Sequence, residues 1–185
     1  YKSIAVLLSS FNGVKYLEEQ VCSLLKQAGN IIIDIHIRDD GSTDGTQSLI
    51  KNLSKKHSNI YLYEAINVGV IASFLWLVDN ISGYDYYAFC DQDDIWFSDK
   101  LERALQAIVA VKGTGLPALY CSRTMLVSEH KKIIGMSPLF SRSPGFYNAL
   151  VQSIAGANTM LFDESVRCLL AKIPEEADVV SHDWL

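Results

Sequence analysis

The continuous apolar run Ile4-Ala5-Val6-Leu7-Leu8 most constrains what this chain can fold into. Neighbouring side chains of a strand point to opposite sides, so a strand made of these five residues has no polar face to offer water. Such a run is stable when both faces are covered, as in a central strand of a parallel sheet. Ser9-Ser10-Phe11-Asn12-Gly13 interrupts it, and Val14, Leu17, Val21, Leu24 and Leu25 then recur at helical spacing. This predicts strand, turn and helix. The unit recurs: Ile31–Ile37 predicts a second strand, Arg38–Gly45 a polar loop, and Leu49, Ile50 and Leu53 a second helix. Ile60–Tyr63 predicts a third strand that leads through Asn67 and Gly69 into a helix over Val70–Val78. Tyr86–Cys90 predicts a fourth strand, ended abruptly by Asp91-Gln92-Asp93-Asp94. The alternation implies an α/β fold with a mostly parallel central sheet and helices on both faces. Ligands of such sheets bind beyond the carboxyl ends of the strands, where three successive strands of this chain run into polar, turn-rich loops.

Beyond Asp94 the pattern predicts a helix over Asp99–Val111, capped by Ser98 or Asp99, with Asp99 and Glu102 at capping-box spacing. A strand near Ala118–Arg123 follows, then a turn at Glu129–Lys132 and a loop at Ser141–Gly145. Gly156–Phe162 reads as a strand and Glu164–Lys172 as a helix ended by Pro174. No repeat or linker divides the chain, so residues 1–185 read as one domain. It stops at Ser181-His182-Asp183-Trp184-Leu185 without a closing element, which predicts truncation at the C-terminus.

Of the 185 residues, 49% are apolar and 20% charged, enough for a sizeable core. A net charge of −5 with scattered basic residues argues against nucleic acid as a partner, and a phosphate ligand would need a cation. Cys22, Cys90, Cys121 and Cys168 are far apart in mostly apolar surroundings, which predicts buried thiols and a reducing, cytoplasmic setting. No apolar run approaches the roughly 20 residues of a spanning helix. The sequence therefore predicts no transmembrane segment, while peripheral association with the inner face of the plasma membrane stays open through a membrane-associated acceptor.

The strongest chemical feature is Asp91-Gln92-Asp93-Asp94. Three carboxylates within four residues repel one another, and a fold that gathers them often supplies a cation. Hard oxygen ligands beside a diphosphate suit Mg²⁺ or Mn²⁺. The same segment also reads as a solvated acidic turn at the start of the next helix. The loop Asp39-Asp40-Gly41-Ser42-Thr43-Asp44-Gly45 lacks the lysine and spacing of a Walker sequence. Its carboxylates would repel phosphate but can accept hydrogen bonds from a pyrimidine N–H or from ribose hydroxyls, with Asp40 the candidate. Asp44 and Gly45 read as turn and helix cap. Ser9 offers a hydroxyl and Phe11 a ring face at the mouth of the same sheet, although a Phe after a strand is more often core.

Together these segments resemble the inverting family 2 glycosyltransferases with the GT-A fold. Ile4–Gly13 is similar to their opening strand, Arg38–Thr46 to their base-binding loop, and Asp91-Gln92-Asp93-Asp94-Ile95-Trp96 with Asp99-Lys100-Leu101 to their D-x-D segment. The resemblance implies that Ser9, Phe11, Asn12 and Asp40 hold the nucleoside. It implies that Asn67 and Gly69 lie beneath the donor phosphates, that Asp91 contacts ribose or sugar, and that Asp93 ligates Mn²⁺ or Mg²⁺. Gly156, Ala157, Asn158 and Trp184 would line the acceptor side, with Asp183 as catalytic base. The His182-Asp183 pair, in place of the usual two carboxylates, is similar to a subgroup that includes rhamnosyltransferases of cell-wall and O-antigen polysaccharides. The position usually held by Tyr in the first motif is Phe11, which keeps the ring and loses the hydroxyl.

The implied reaction moves a sugar from a dTDP- or UDP-sugar, dTDP-rhamnose in the rhamnosyltransferase case, to a hydroxyl of a glycan or lipid-linked glycan acceptor. Asp183 would take the acceptor proton in a single inverting displacement. Two alternatives remain at this stage: a nucleotidyltransferase, which normally needs a basic glycine-rich loop after the first strand, and a catalytically silent sugar-nucleotide or glycan-binding module.

Overall fold

A computed structural model of the chain describes residues 1–111, 116–140, 145, 147, 153–174 and 181. Its first strand, β1 (Lys2–Ser10), lies between β2 (Ile31–Asp40) and β4 (Tyr86–Cys90), parallel to both. β3 (Ile60–Ala65) extends the sheet beyond β2, again in parallel. On the other side, β8 (Leu161–Asp163) runs antiparallel to β4 and pairs with the short β5 (Leu119–Tyr120), giving the order β3-β2-β1-β4-β8-β5. The sheet is mostly parallel, as the alternation of strands and helices predicts.

Burial explains the apolar run. Ile4, Val6 and Leu8 face one layer and Ala5 and Leu7 the other, and all five are wholly buried. The first layer is built from α1 (Leu17–Leu25), α2 (Thr46–Lys56) and α4 (Lys100–Val111), through Leu17, Val21, Leu24, Ile50, Leu53, Leu101, Ala104 and Ile108. The second comes from α3 (Val70–Asn80) and α5 (Glu164–Leu170), through Phe74, Leu77, Val78, Val166 and Leu170. Each fully buried aliphatic or aromatic side chain contributes about 1.5–3 kcal/mol, so the two layers hold the strand ends in fixed relation.

The later chain departs from expectation. The strand expected over Ala118–Arg123 is only Leu119–Tyr120. Instead of a strand over Gly156–Phe162, a 3₁₀ turn at Ala157–Thr159 precedes β8. Thr159 makes that turn by donating both its backbone N–H (2.9 Å) and its hydroxyl (2.7 Å) to the Gly156 carbonyl. Residues 129–132 do connect two elements, but these are the strands β6 (Met125–Val127) and β7 (Ile133–Met136) of a hairpin. Of the cysteines only Cys90 is buried; Cys121 is half-buried, and Cys22 and Cys168 are exposed, which corrects the expectation of buried thiols. Cys22 falls on the water side of α1, between the buried Val21 and Ser23. Among the described residues no helix is long and apolar enough to cross a membrane.

A polar seam lies between β2 and its neighbours. His36 is 5% exposed, with Nδ1 2.9 Å from the Tyr63 hydroxyl and Nε2 3.0 Å from that of Tyr84. Tyr84 donates its proton to Asp34 at 2.8 Å. Its oxygen is then free to accept from Nε2–H, and Nδ1 accepts from Tyr63, so a neutral imidazole satisfies every partner. Burial lowers the His36 pKa from 6.5 to about 4, against a smaller opposing pull from Asp34. Between these values the unfolded chain binds a proton that the folded one refuses. The contribution of His36 is therefore complete above pH 6.5 and lost as pH falls toward 4, up to about 3 kcal/mol. Melting temperature measured from pH 7.5 to 4.5 is expected to fall through this window more steeply in the wild type than in His36→Phe. Equal slopes would contradict the assignment.

Candidate active site

Three loops meet at the carboxyl ends of β1, β2 and β4. The first, Phe11–Val14, is tied to the second and to the start of α2 by hydrogen bonds. Asn12 N–H donates to the Ser42 hydroxyl and Thr43 N–H to Asn12 Oδ1, each at 2.9 Å. Gly13 N–H donates to Thr46 Oγ1 (2.9 Å) and Val14 N–H to Asp44 Oδ2 (3.1 Å). Asp44 also accepts from Thr46 N–H at 3.0 Å, a turn that leads into Gly45, the N-cap of α2, and the Thr46 hydroxyl first among its partners lowers its pKa.

The third loop closes on the first through Gln92. Its Oε1 accepts from the Ser10 hydroxyl and from Phe11 N–H, both at 3.0 Å, and its amide donates back to the Phe11 carbonyl at 3.2 Å. A Cβ on Gly13 would stand 2.2 Å from that Oε1, so glycine leaves room for the bridge. Sequence reasoning passed over Gln92 because an amide between two aspartates carries no signal of its partner 81 residues away.

Ser9, Phe11, Asp40, Asn67, Gly69, Asp91 and Asp93 line one cavity of about 530 Å³, joined by Val70, Phe74 and Gln92. That volume lies within the range of small-molecule sites. Phe11 is 46% exposed, so its ring faces the cavity mouth rather than the core. Asn12 is not among the lining residues and joins the first two loops instead. The Ser9 hydroxyl donates to that of Ser73 on α3 at 2.6 Å.

Asp40 is 2% exposed and forms an ion pair with Arg38, itself 4% exposed. Asp40 Oδ1 also accepts from Val68 N–H (3.0 Å), and Oδ2 accepts from Gly69 N–H (2.9 Å). Arg38 reaches the Ser73 hydroxyl at 3.1 Å. The pair therefore sets where α3 begins. Gly41 permits this approach: it sits at φ +78°, and a Cβ there would come within 2.9 Å of Asn67 N.

Asp91 is half-buried and Asp93 exposed, and both open on the cavity. Among the described residues no three metal-ligating side chains converge. Two carboxylates on one cavity wall fit Mg²⁺ or Mn²⁺, which typically take one or two carboxylates and complete their shell with substrate phosphates and water.

A second cavity, about 450 Å³, adjoins the first at Asp93 and is lined by Asp94, Trp96, Lys100, Asn158 and Thr159 with the β6–β7 hairpin. Of the residues expected on the acceptor side, Asn158 lines it, Gly156 accepts the bonds of the 3₁₀ turn, and Ala157 is wholly buried in the core. Burial raises the Asp94 pKa, helped by the charges of Asp91 and Asp93 and opposed by the Asn158 amide. His182, Asp183 and Trp184 lie outside the described residues.

The profile of glycosyl transferase family 2 matches residues 5–170, spanning all three loops and both cavities. The chain belongs to glycosyl transferase family 2. It is 33% identical over 107 residues to the dTDP-rhamnosyl transferase RfbG of Shigella flexneri, covering 55% of this chain and 37% of that protein. It is 34% identical over 104 residues to TuaG of Bacillus subtilis, a putative teichuronic acid biosynthesis glycosyltransferase, covering 56% and 40%. This family 2 chain thus spans less than half the length of either relative. A solved mannosyltransferase of Pyrobaculum calidifontis, in complex with GDP-Man and Mn²⁺, shares the fold at TM-score 0.62 and 16% identity, over 94% of this chain and 48% of that one. The GT-A architecture implied by the sequence resemblance is the one observed.

Asp40→Ala leaves the Arg38 guanidinium buried without its counter-ion, an uncompensated charge that costs about 3–5 kcal/mol. Urea denaturation of this family 2 domain is expected to show a loss of that size. A loss below about 1 kcal/mol, the scale of an exposed pair, would contradict the burial assigned here.

Proposed function

We propose that the chain is the catalytic domain of a longer, inverting glycosyltransferase that moves a sugar from a dTDP- or UDP-sugar to a hydroxyl of a cell-surface polysaccharide acceptor. One observation carries this reading: of the eight residues that the resemblance assigns to the donor and its cation, all but Asn12, from the ends of four strands, line a single cavity. The likeness to the dTDP-rhamnosyl transferase RfbG and the putative teichuronic acid glycosyltransferase TuaG favours dTDP-rhamnose as donor and a cell-envelope polymer as product.

In this reading the base stacks on the exposed Phe11 ring. Asp40 Oδ2, which takes one hydrogen bond from Gly69, keeps a lone pair for the N3–H of uracil or thymine. The diphosphate lies toward the amino end of α3, where the helix dipole favours negative charge. Asp93 would hold Mn²⁺ or Mg²⁺, with Asp91 against the donor's ribose or sugar. When bound, the ion supplies Lewis-acid stabilisation of the departing diphosphate. Asp183 takes the proton of the attacking hydroxyl, and Asn158 and Trp184 flank the acceptor. The reaction belongs on the cytoplasmic side, where a lipid-linked glycan acceptor would bring the protein to the inner face of the membrane.

Calorimetry tests the donor half. UDP or dTDP is expected to bind more tightly with Mn²⁺ than with EDTA, and Asp93→Ala to remove the difference. Equal affinity in the two conditions would overturn the cation assignment. Turnover tests the rest: with a nucleotide-sugar donor, Asp183→Asn is expected to lower transfer about 10²- to 10⁴-fold while donor affinity stays nearly intact. Near wild-type transfer would remove Asp183 from the mechanism, and donor binding without any turnover by the wild type would favour a sugar-nucleotide-binding module.

A further inference from the structure

β1 and β4 are neighbours in the sheet, and their pairing ends at Leu8 and Cys90. Beyond that point the Gln92 side chain takes over as partner of the first loop. Both backbone polar groups of Phe11 bond to its amide, the N–H donating to Oε1 at 3.0 Å and the carbonyl accepting from Nε2 at 3.2 Å. The wholly buried Ser10 donates its hydroxyl to the same Oε1 at 3.0 Å. These bonds fix the orientation of the amide, because the reverse one would set Nε2 against the Phe11 N–H, donor against donor. They also select the residue: asparagine is one methylene shorter, and glutamate has no N–H for the Phe11 carbonyl. The Phe11 ring is 46% exposed and gains little hold from packing, so the amide is what fixes its place. Phe11, Asp91, Gln92 and Asp93 line the same cavity.

We infer that Gln92 is a positioning residue that couples the two halves of the donor site, so that a divalent ion at Asp93 and a nucleoside at Phe11 each strengthen binding of the other. The inference rests on the proposed reading of this cavity as the site of a nucleotide-sugar and a cation. Gln92 lies in the chain between Asp91 and Asp93, so an ion that immobilises the Asp93 carboxylate also restrains the residue whose side chain holds Phe11. The first ligand to bind removes motion that the two loops share, and the second then loses less freedom when it follows. Such coupling is reciprocal by thermodynamic necessity. It is separate from direct contact between ion and diphosphate, and uridine isolates it because uridine has no phosphate. Gly13 offers a second way to break the bridge. A Cβ there would stand 2.2 Å from Gln92 Oε1, the end of a flexible side chain that can swing away. Gly13 is not in a left-handed conformation, so alanine displaces the amide without straining the backbone.

The test is calorimetry of uridine and of UDP, each in Mn²⁺ and in EDTA, on wild type, Gln92→Met and Gly13→Ala. In the wild type Mn²⁺ is expected to tighten uridine binding about fivefold, the lower end of ordinary coupling between sites, and both variants to lose that gain. For UDP the Mn²⁺ effect is expected to shrink about fivefold in both variants without vanishing, since the ion still meets the diphosphate. Where uridine binds too weakly to measure, the UDP ratio decides. Weaker binding in the variants with an unchanged Mn²⁺ effect would make Gln92 a brace of the loop and overturn the inference. A wild type in which Mn²⁺ tightens UDP but not uridine would overturn it too, while leaving the cation site intact. A wild type in which Mn²⁺ tightens neither would contradict the cation site and the coupling together. Should neither variant fold, exchange of the Phe11 amide proton in the wild type decides: Mg²⁺ alone is expected to slow it, and an unchanged rate overturns the inference.

Discussion

The buried ion pair between Arg38 and Asp40 is the interaction on which the site depends. Both side chains are withdrawn from water, and their hydrogen bonds go to Ser73 of α3 and to the backbone of Val68 and Gly69. A buried pair is weak grounds for net stability, because desolvation offsets most of the Coulombic gain. Its consequence here is geometric. Two backbone N–H groups aimed at one carboxylate set the path by which the chain leaves β3 and enters α3, and that path forms one wall of the 530 Å³ cavity. The Arg38 guanidinium lies over the Trp76 ring of α3, 5.7 Å from its centroid.

The remaining walls follow from loop-to-loop hydrogen bonds rather than from each loop's own conformation. The first loop is held on one side by Ser42, Thr43, Asp44 and Thr46 and on the other by Gln92. A site assembled in this way has its polar groups in place before ligand arrives, which reduces the ordering cost of binding. The sheet makes this possible: with Ile4–Leu8 locked between two helical layers, the ends of β1, β2 and β4 cannot slide relative to one another.

Much of this was legible in the sequence for identifiable reasons. The buried runs Ile4–Leu8 of β1 and Tyr86–Cys90 of β4 are continuously apolar and lead into polar turns, so they stand out against the helices; β2, with Asp34 and His36, and the partly exposed β3 show instead as isoleucine- and tyrosine-rich runs between polar turns. Ser9, Phe11, Asp40, Asn67, Gly69, Asp91 and Asp93 stand at or just beyond the ends of these strands, where the family resemblance places them at the donor and its cation, and the cavity gathers all seven. The later chain was less legible because its elements are short. Leu119–Tyr120 and Leu161–Asp163 have too few residues to show a period, and a threonine bonding back to Gly156 turns an apparent strand into a 3₁₀ turn. Partners such as Gln92 with Phe11, or Lys100 with Asn158, are set by tertiary packing across long sequence separations and leave no local trace.

The central claim is that the ends of these strands form one site for a nucleoside diphosphate and a divalent ion. Paramagnetic broadening of backbone amide resonances by Mn²⁺ in the presence of UDP reads that site directly, because the effect falls steeply with distance from the ion. The account expects the resonances of Asp91–Asp94 to broaden first, followed by those of Ser9–Asn12 and Asn67–Val70, with the distant end of the sheet around Ile31 and Asp85 unaffected. Broadening centred on any other part of the chain, or none at concentrations that saturate UDP binding, would contradict it.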